Sequence, residues 1–429
     1  MNCSVKILMT ASLAAFSAQF AEAVPGVDNV DMNQATKRVD ITYTLSGDAA
    51  IITLDVQTNA NTSASADDPG WTSIGGAAVC NAKGDVWKKV ETGSRTITWR
   101  PDQSWPDHVI ADGGARAVVT AWALDNTPDY MVVDITANAQ RNSQKYYPAV
   151  EYLPGGLLSN DDYRTSLIVM RKIMAKDVEW TMGSTKAEKG YDTGSNEPEK
   201  THRVTLTNNY YIGVFELTQS QWSLFASLAN RATFPGSMRP IETICYNEVR
   251  MSALSVTAAS GAQEWPGQPY TGSFLDLVRM RTGLDFDLPS EAQWEFAARA
   301  GNGNGKWGDG SAITNATADL SLSALATYAS NPSSLGSGTE VVGSHKPNDW
   351  GLYDAHGNVF ELCLDWYKAD ISSLTGRVNT VAGTKRIRRG GGYSSDASVC
   401  RPARRGDAVE PNVKSQYVGF RLACQAGLQ

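Results

Sequence analysis

Val39, Ile41, Tyr43 and Leu45 alternate with polar neighbours, and the same alternation returns at Ile52, Leu54 and Val56 and at Ile97 and Trp99. A period of two places every second side chain on one face of an extended chain, so these segments suit half-buried β-strands and cannot hold the apolar stripe of a helix. The clusters Ser46-Gly47-Asp48, Asp68-Pro69-Gly70 and Gly75-Gly76 punctuate them as turns. Further strands are predicted over 117–124 and 130–135. Five or more strands in roughly 110 residues predict an all-β sandwich of immunoglobulin or fibronectin type spanning residues 24–139. No spacing of catalytic residues falls within it.

Residues 1–23 read as a secretory signal peptide: Lys6, then an apolar stretch over 7–20, then the small-x-small sequence Ala21-Glu22-Ala23. Thr10, Ser12, Ser17 and Gln19 interrupt the stretch, which argues against a membrane anchor, since a span needs about 20 apolar residues. A secreted or periplasmic location follows as an expectation. Of the 6 cysteines, Cys3 leaves with the signal, and Cys80, Cys245, Cys363, Cys400 and Cys424 remain. In an oxidising compartment an odd set allows up to two disulfides and leaves at least one thiol.

Charge excludes some functions. With 38 basic and 45 acidic residues the net charge is -7, which opposes binding to nucleic acid or to an anionic membrane. The 4 histidines, His108, His202, His345 and His356, never adopt the HExxH spacing of a zinc hydrolase.

The turn-rich stretch 140–166, with Tyr147-Pro148 and Leu153-Pro154-Gly155-Gly156, is expected to be a linker and docking segment. The unit that follows, 167–426, mixes short strands predicted over 167–173, 202–206 and 210–215 with at least two helices. Thr218-Gln219-Ser220-Gln221 and Ser290-Glu291-Ala292-Gln293 each place a hydroxyl residue three before a glutamine, the capping-box pattern that satisfies the first amides of a helix. The second helix has Pro289 before its cap, a stripe of Trp294, Ala297 and Ala298, and Gly301 as its stop. Glycine, asparagine and serine dominate from there to 338.

Five segments then occur in a telling order. They are Tyr211-Ile212-Gly213-Val214-Phe215-Glu216-Leu217-Thr218, then Leu288-Pro289-Ser290-Glu291-Ala292-Gln293-Trp294-Glu295-Phe296, then Gly351-Leu352-Tyr353-Asp354 through Gly357-Asn358-Val359-Phe360-Glu361, then Arg389-Gly390-Gly391-Gly392-Tyr393, and last Gly419-Phe420-Arg421. Together they resemble the formylglycine-generating enzyme family, the sulfatase-modifying factors, over about 178–424. The resemblance implies a C-type-lectin-like α+β fold for 167–426, and hence a multi-domain chain. It also implies an oxidase that converts a sulfatase cysteine to formylglycine with oxygen and a copper(I) ion held by two thiolates. Thiolates suit that soft ion. In this chain Ser395 stands where the first thiolate belongs, Gly392 replaces a serine of the oxygen site, and Cys400 alone remains. A protonated hydroxyl beside one thiol holds copper(I) far more weakly than two thiolates.

The alternatives for Cys400 are a surviving functional thiol or a structural disulfide, with Cys363 as the candidate partner. The family's calcium loop corresponds to the side chains of Asp354 and Glu361 and the carbonyls of Gly357 and Val359, a set that suits a hard ion taking six to eight oxygens. Gly301 to Lys306 superficially resembles a phosphate loop, but it follows a helix and has Trp307 where a hydroxyl residue belongs. Arg405-Gly406-Asp407 is a short string of the integrin-binding kind and is discounted. The 12 tryptophans and 16 tyrosines leave room for a sugar-binding groove, although most belong in cores. Two functions therefore compete: a secreted, non-oxidising module that binds a protein or glycan with calcium as a structural ion, and a copper oxidase acting through Cys400. A nonheme-iron oxygenase ranks below both, for want of the histidine-bearing helical domain such enzymes add.

Overall fold

The computed structural model describes residues 24–194, 198–225, 228–250, 265–331, 338–376, 378–379, 381–405 and 408–427. The expected signal, 1–23, lies outside them. The strand Arg38–Ser46 buries every second residue, Val39, Ile41, Tyr43 and Leu45, as the alternation demands. It pairs with Gly26–Ala35 on one side and Gly93–Trp99 on the other, and Lys83–Gly84 completes that sheet. Gly47, in the left-handed region at φ 76°, turns the chain from this sheet into Ala50–Thr58 of a second one. There Ala50–Thr58 lies between Thr72–Ser73 and Lys89–Val90, and Ala115–Trp122 pairs along it.

The two sheets share one core: Ile41, Tyr43 and Ile97 of the first pack with Ile52, Leu54 and Val56 of the second. Each such aliphatic side chain, fully buried, contributes about 1.5–3 kcal/mol. Ala50–Thr58 is buried on both faces at its start, because Ile51 points away from its neighbours and into the core of the next unit.

The strand expected over 130–135 forms as Tyr130–Asp134, but it belongs elsewhere. It pairs with Leu167–Ile173 and with Lys145–Tyr147 in a five-stranded sheet completed by Tyr210–Gly213 and Ala423–Gln425. An expected boundary at 139 therefore cuts through a sheet, and part of the expected linker is a strand. The physical reason is visible in its burial: Tyr130, Met131, Val132 and Val133 are all buried, as in a strand covered on both faces, and not alternately buried like the strands before it.

The second unit is mostly β with few helices. A second sheet runs Ala408–Val409, Arg386–Arg389, Phe360–Trp366, Val418–Gly419. Both capping boxes close: Thr218 and Gln221 start Gln219–Ser223, and Ser290 and Gln293 start Glu291–Arg299. Ala300 and Gly301, at φ 48° and 83°, end the second helix. All nine of its residues are buried, so the expected single stripe understates it. Glu291, Glu295 and Arg299 are tolerated inside because each is ion-paired, Glu291 to Arg405 at 2.6 Å and Glu295 to Arg299 at 2.8 Å. Among the described residues no helix is long and apolar enough to cross a membrane.

Candidate functional site

The strand Arg386–Arg389 delivers the chain into Gly390 and Gly391, both left-handed at φ 92° and 76°. A Cβ at Gly391 would lie 2.7 Å from the Cys400 sulfur, so glycine there lets the backbone lie on the thiol. Gly392 is different: a Cβ would meet Asn358 O at 3.4 Å and Phe360 at 3.7 Å, ordinary contacts, so the family's serine is not excluded by space.

Ser395 and Cys400 do different jobs. The Ser395 hydroxyl accepts from the Gly392 amide at 3.0 Å, and its own amide donates to the Gly392 carbonyl at 2.8 Å, so the side chain closes a turn. Cys400 is 0% exposed and packs among Trp307, Ile313, Leu322, Leu325, Ala326, Tyr328 and Ala397. Its carbonyl accepts from His356 Nδ1 at 3.0 Å, while the Gly308 amide donates to Nε2 at 3.2 Å, which fixes the tautomer. Burial lowers the His356 pKa to about 4, so the ring is a neutral strut at physiological pH.

The expected disulfide does not form. Among the described residues none of the five cysteines is disulfide-bonded. Cys363 lies on Phe360–Trp366 in a separate cluster with Trp294, Ala298, Ala355 and Ile387, while Cys400 sits in the Trp307 cluster, so different side chains wall in the two sulfurs. Burial pushes the Cys363 thiol well above its ordinary pKa, which makes it unreactive.

The four residues of the expected calcium set stand around one buried turn, with Asp354, Gly357 and Asn358 left-handed at φ 55°, 80° and 56°. A Cβ at Gly357 would come within 2.2 Å of the Thr327 carbonyl, so only glycine fits. Asp354 accepts from the Gly343 amide at 2.7 Å. Glu361 is engaged otherwise: Arg421 Nε donates to it at 2.6 Å and Trp294 Nε1 at 2.7 Å, and a second Arg421 nitrogen grips the other oxygen. Sequence reasoning missed Glu216, which is 0% exposed and accepts from the Asn358 side chain at 2.6 Å and the Val359 amide at 3.2 Å. Its signal was its place inside the first family segment.

Three carboxylates thus share a buried region with one guanidinium. Burial, reinforced by Asp354 and Glu361, pushes Glu216 well above the ordinary carboxylate range, and burial lifts Asp354 to about 6. The surplus negative charge suits a hard cation. The orientation of Glu361 does not, because both its oxygens already face Arg421. Among the described residues no group of three or more His, Cys, Asp or Glu side chains is arranged to hold a metal. The Arg405 of the integrin-like tripeptide is 1% exposed and bound to Glu291, so that motif offers no free arginine.

A family model described as the sulfatase-modifying factor enzyme 1-like domain matches residues 169–426. The formylglycine-generating enzyme of Thermomonospora curvata is 29% identical over 181 residues, covering 38% of this chain and 60% of the relative. That of Streptomyces coelicolor is 32% identical over 164 residues, covering 33% and 47%. The chain therefore spans about half to three fifths of these relatives' length. A chaperone protein, LppX of Paenibacillus barcinonensis, is 28% identical over 225 residues, 46% of this chain and 73% of the relative. Among solved structures, Treponema denticola variable protein 1 is 26% identical with a TM-score of 0.45, over 60% of this chain and 95% of that one. The ordered segments, the glycine turn and the buried Asp354 loop thus lie within a domain whose family is shown: the chain belongs to the sulfatase-modifying factor enzyme 1-like family.

Proposed function

We propose that this chain is a secreted family member that does not carry out the copper-dependent oxidation and instead binds a protein or glycan ligand on its loop-rich second unit. The first unit is read as an immunoglobulin- or fibronectin-type module that presents it. One observation carries the proposal: Cys400 is enclosed in an apolar cluster under Gly391, while Ser395 spends its hydroxyl on the Gly392 amide. A copper(I) ion needs two soft ligands that converge, and these residues do not fit that ion. The relative named as a chaperone is consistent with a role in binding.

The test is direct. The purified protein, loaded with copper(I) and given oxygen and a sulfatase-type cysteine peptide, is expected to yield no aldehyde reactive toward hydrazide. Aldehyde formation lost in Cys400→Ala would establish the alternative, an oxidase working through Cys400, which the named enzyme relatives favour.

Calcium remains part of the proposal through Asp354, the carbonyls of Gly357 and Val359, and Glu361 once turned from Arg421. A rise in melting temperature on adding calcium, absent in Asp354→Asn, supports it. No rise in the native protein removes it. Export through residues 1–23 predicts Val24 as the mature N-terminus, readable by mass spectrometry.

A further inference from the structure

A cavity of about 350 Å³ opens where the helix Glu291–Arg299 ends, and none of its lining residues belongs to the Ser395 and Cys400 loop. Its size lies at the small end of the range of roughly 300–1,000 Å³ usual for small-molecule sites. One wall is aromatic. Trp180, on the strand Glu179–Met182, meets Phe296 of the helix with ring centroids 5.3 Å apart, and Trp350 packs against Phe296 at 5.2 Å. Trp180 is half-buried, so part of its ring stays accessible.

The rim is polar and uncharged. The left-handed pair Ala300 and Gly301 turns the chain out of the helix into Asn302, Gly303 and Asn304. No heavy atom comes within 4 Å of where a Cβ on Gly303 would stand, so its backbone is open to a visitor. The Asn302 amide nitrogen donates to Gly308 O and to Asp349, both at 3.1 Å, leaving its oxygen to accept. Asn304 is exposed and offers a whole carboxamide.

Charge narrows the ligand. Arg299 lines the cavity, but its guanidinium is tied inward, to Glu295 at 2.9 Å, a carboxylate it shares with Arg389, and to the Gly183 carbonyl at 2.6 Å. The helix presents its C-terminal, partly negative end here, which disfavours an anion. A purely apolar guest would offer nothing to the Asn302 oxygen or to the Asn304 carboxamide. A pyranose has what both surfaces ask for: a face of C–H bonds to lie on an indole, and hydroxyls that both donate and accept for carboxamides.

We infer that this cavity is a binding site for a neutral pyranose sugar, with Trp180 as the stacking platform and Asn302 and Asn304 as hydroxyl partners. It does not rest on the reading of the Cys400 loop, because formylglycine formation would leave it standing.

Saturation-transfer NMR and calorimetry on the whole chain test it. The probes are methyl β-glucoside, methyl β-galactoside, methyl α-mannoside and N-acetylglucosamine, with tetramethylammonium as the cationic control. At least one sugar is expected to bind with a millimolar or tighter Kd, with saturation reaching its ring C–H protons. Trp180→Ala should weaken it about tenfold or more, and Asn304→Ala about threefold, each factor of ten being ~1.4 kcal/mol. Asn304 is exposed, so that variant should melt like the native protein and keep the test valid if Trp180→Ala misfolds. Three results would overturn the assignment: no sugar bound at about 20 mM, binding unchanged in both variants, or Trp180-dependent binding of tetramethylammonium in place of sugar.

Discussion

The two parts of the molecule are held together by different physics. Among the described residues up to Trp122, Thr53 is the one buried polar side chain, and the core is made by apolar alternation. The second unit buries Arg389, Arg401, Arg405 and Arg421 at 1% exposure or less, each against a glutamate. Arg401 joins Glu188 and Glu199 at 2.7 Å each, tying distant loops to the chain after Cys400. Loops lack the regular apolar face that lets strands stack. A guanidinium can grip carboxylates and carbonyls in several directions at once, and that fixes geometry where packing alone leaves it open. The cost is sensitivity, since losing one partner strands a buried charge.

That contrast can be broken in order of expected effect. Arg401→Met should be the most damaging change, about 3–5 kcal/mol, because it strips Glu188 of its partner at 2.7 Å and leaves Glu199 only a longer contact with Arg404 at 3.8 Å. Adding Glu188→Gln and Glu199→Gln should recover a large part of the loss in urea denaturation. A single-variant cost below about 1 kcal/mol would end the claim that ion pairs hold this unit. Ile97→Ala in the first unit should cost about 2–4 kcal/mol by the cavity it leaves, and no second substitution of charge should rescue it.

Asp354→Asn comes next and is readable by pH. Burial raises Asp354 to about 6, so its contribution is fully present below about pH 4 and is lost as pH rises through 6. Asparagine tolerates the left-handed backbone and keeps an acceptor for Gly343, so without calcium the variant should gain roughly 2 kcal/mol on the native protein between pH 4 and 7. Melting curves at both ends of that range check the sign, and added calcium should reverse the ranking at pH 7 if the ion binds. Smallest of all, Arg38→Ala removes an exposed pair with Asp40 and should shift stability by at most about 0.5 kcal/mol.

The same contrast governs what the sequence could tell. Period two marked Arg38–Ser46, and the capping boxes at Thr218 and Ser290 marked both helix starts, because those signals are local. The helix Phe274–Thr282 went unassigned although Ser273 caps it and left-handed Gly283 ends it; its buried Phe274, Leu275 and Val278 give too short a stripe to declare a period. At the site, the ordered segments located Asp354, Glu361, Ser395 and Cys400. They could not reveal that Glu361 faces Arg421, 60 residues on, or that Cys363 and Cys400 enter different clusters. Burial of charge leaves no periodic trace, so partners of this kind become visible only in three dimensions.

The sheet that crosses the expected boundary has a practical meaning for anyone dividing this chain. A fragment starting at 140 would lose Tyr130–Asp134 and uncover one side of Leu167–Ile173, most of whose residues are buried. A bare apolar strand edge recruits whatever strand it meets, including its own copies. A cut between Trp122 and Tyr130 keeps that edge closed, yet it still bares the apolar seam where Ile41 and Leu54 share a core with Val132, Val214 and Phe215 and where Ile51 enters the second unit, so the two parts are better kept as one piece.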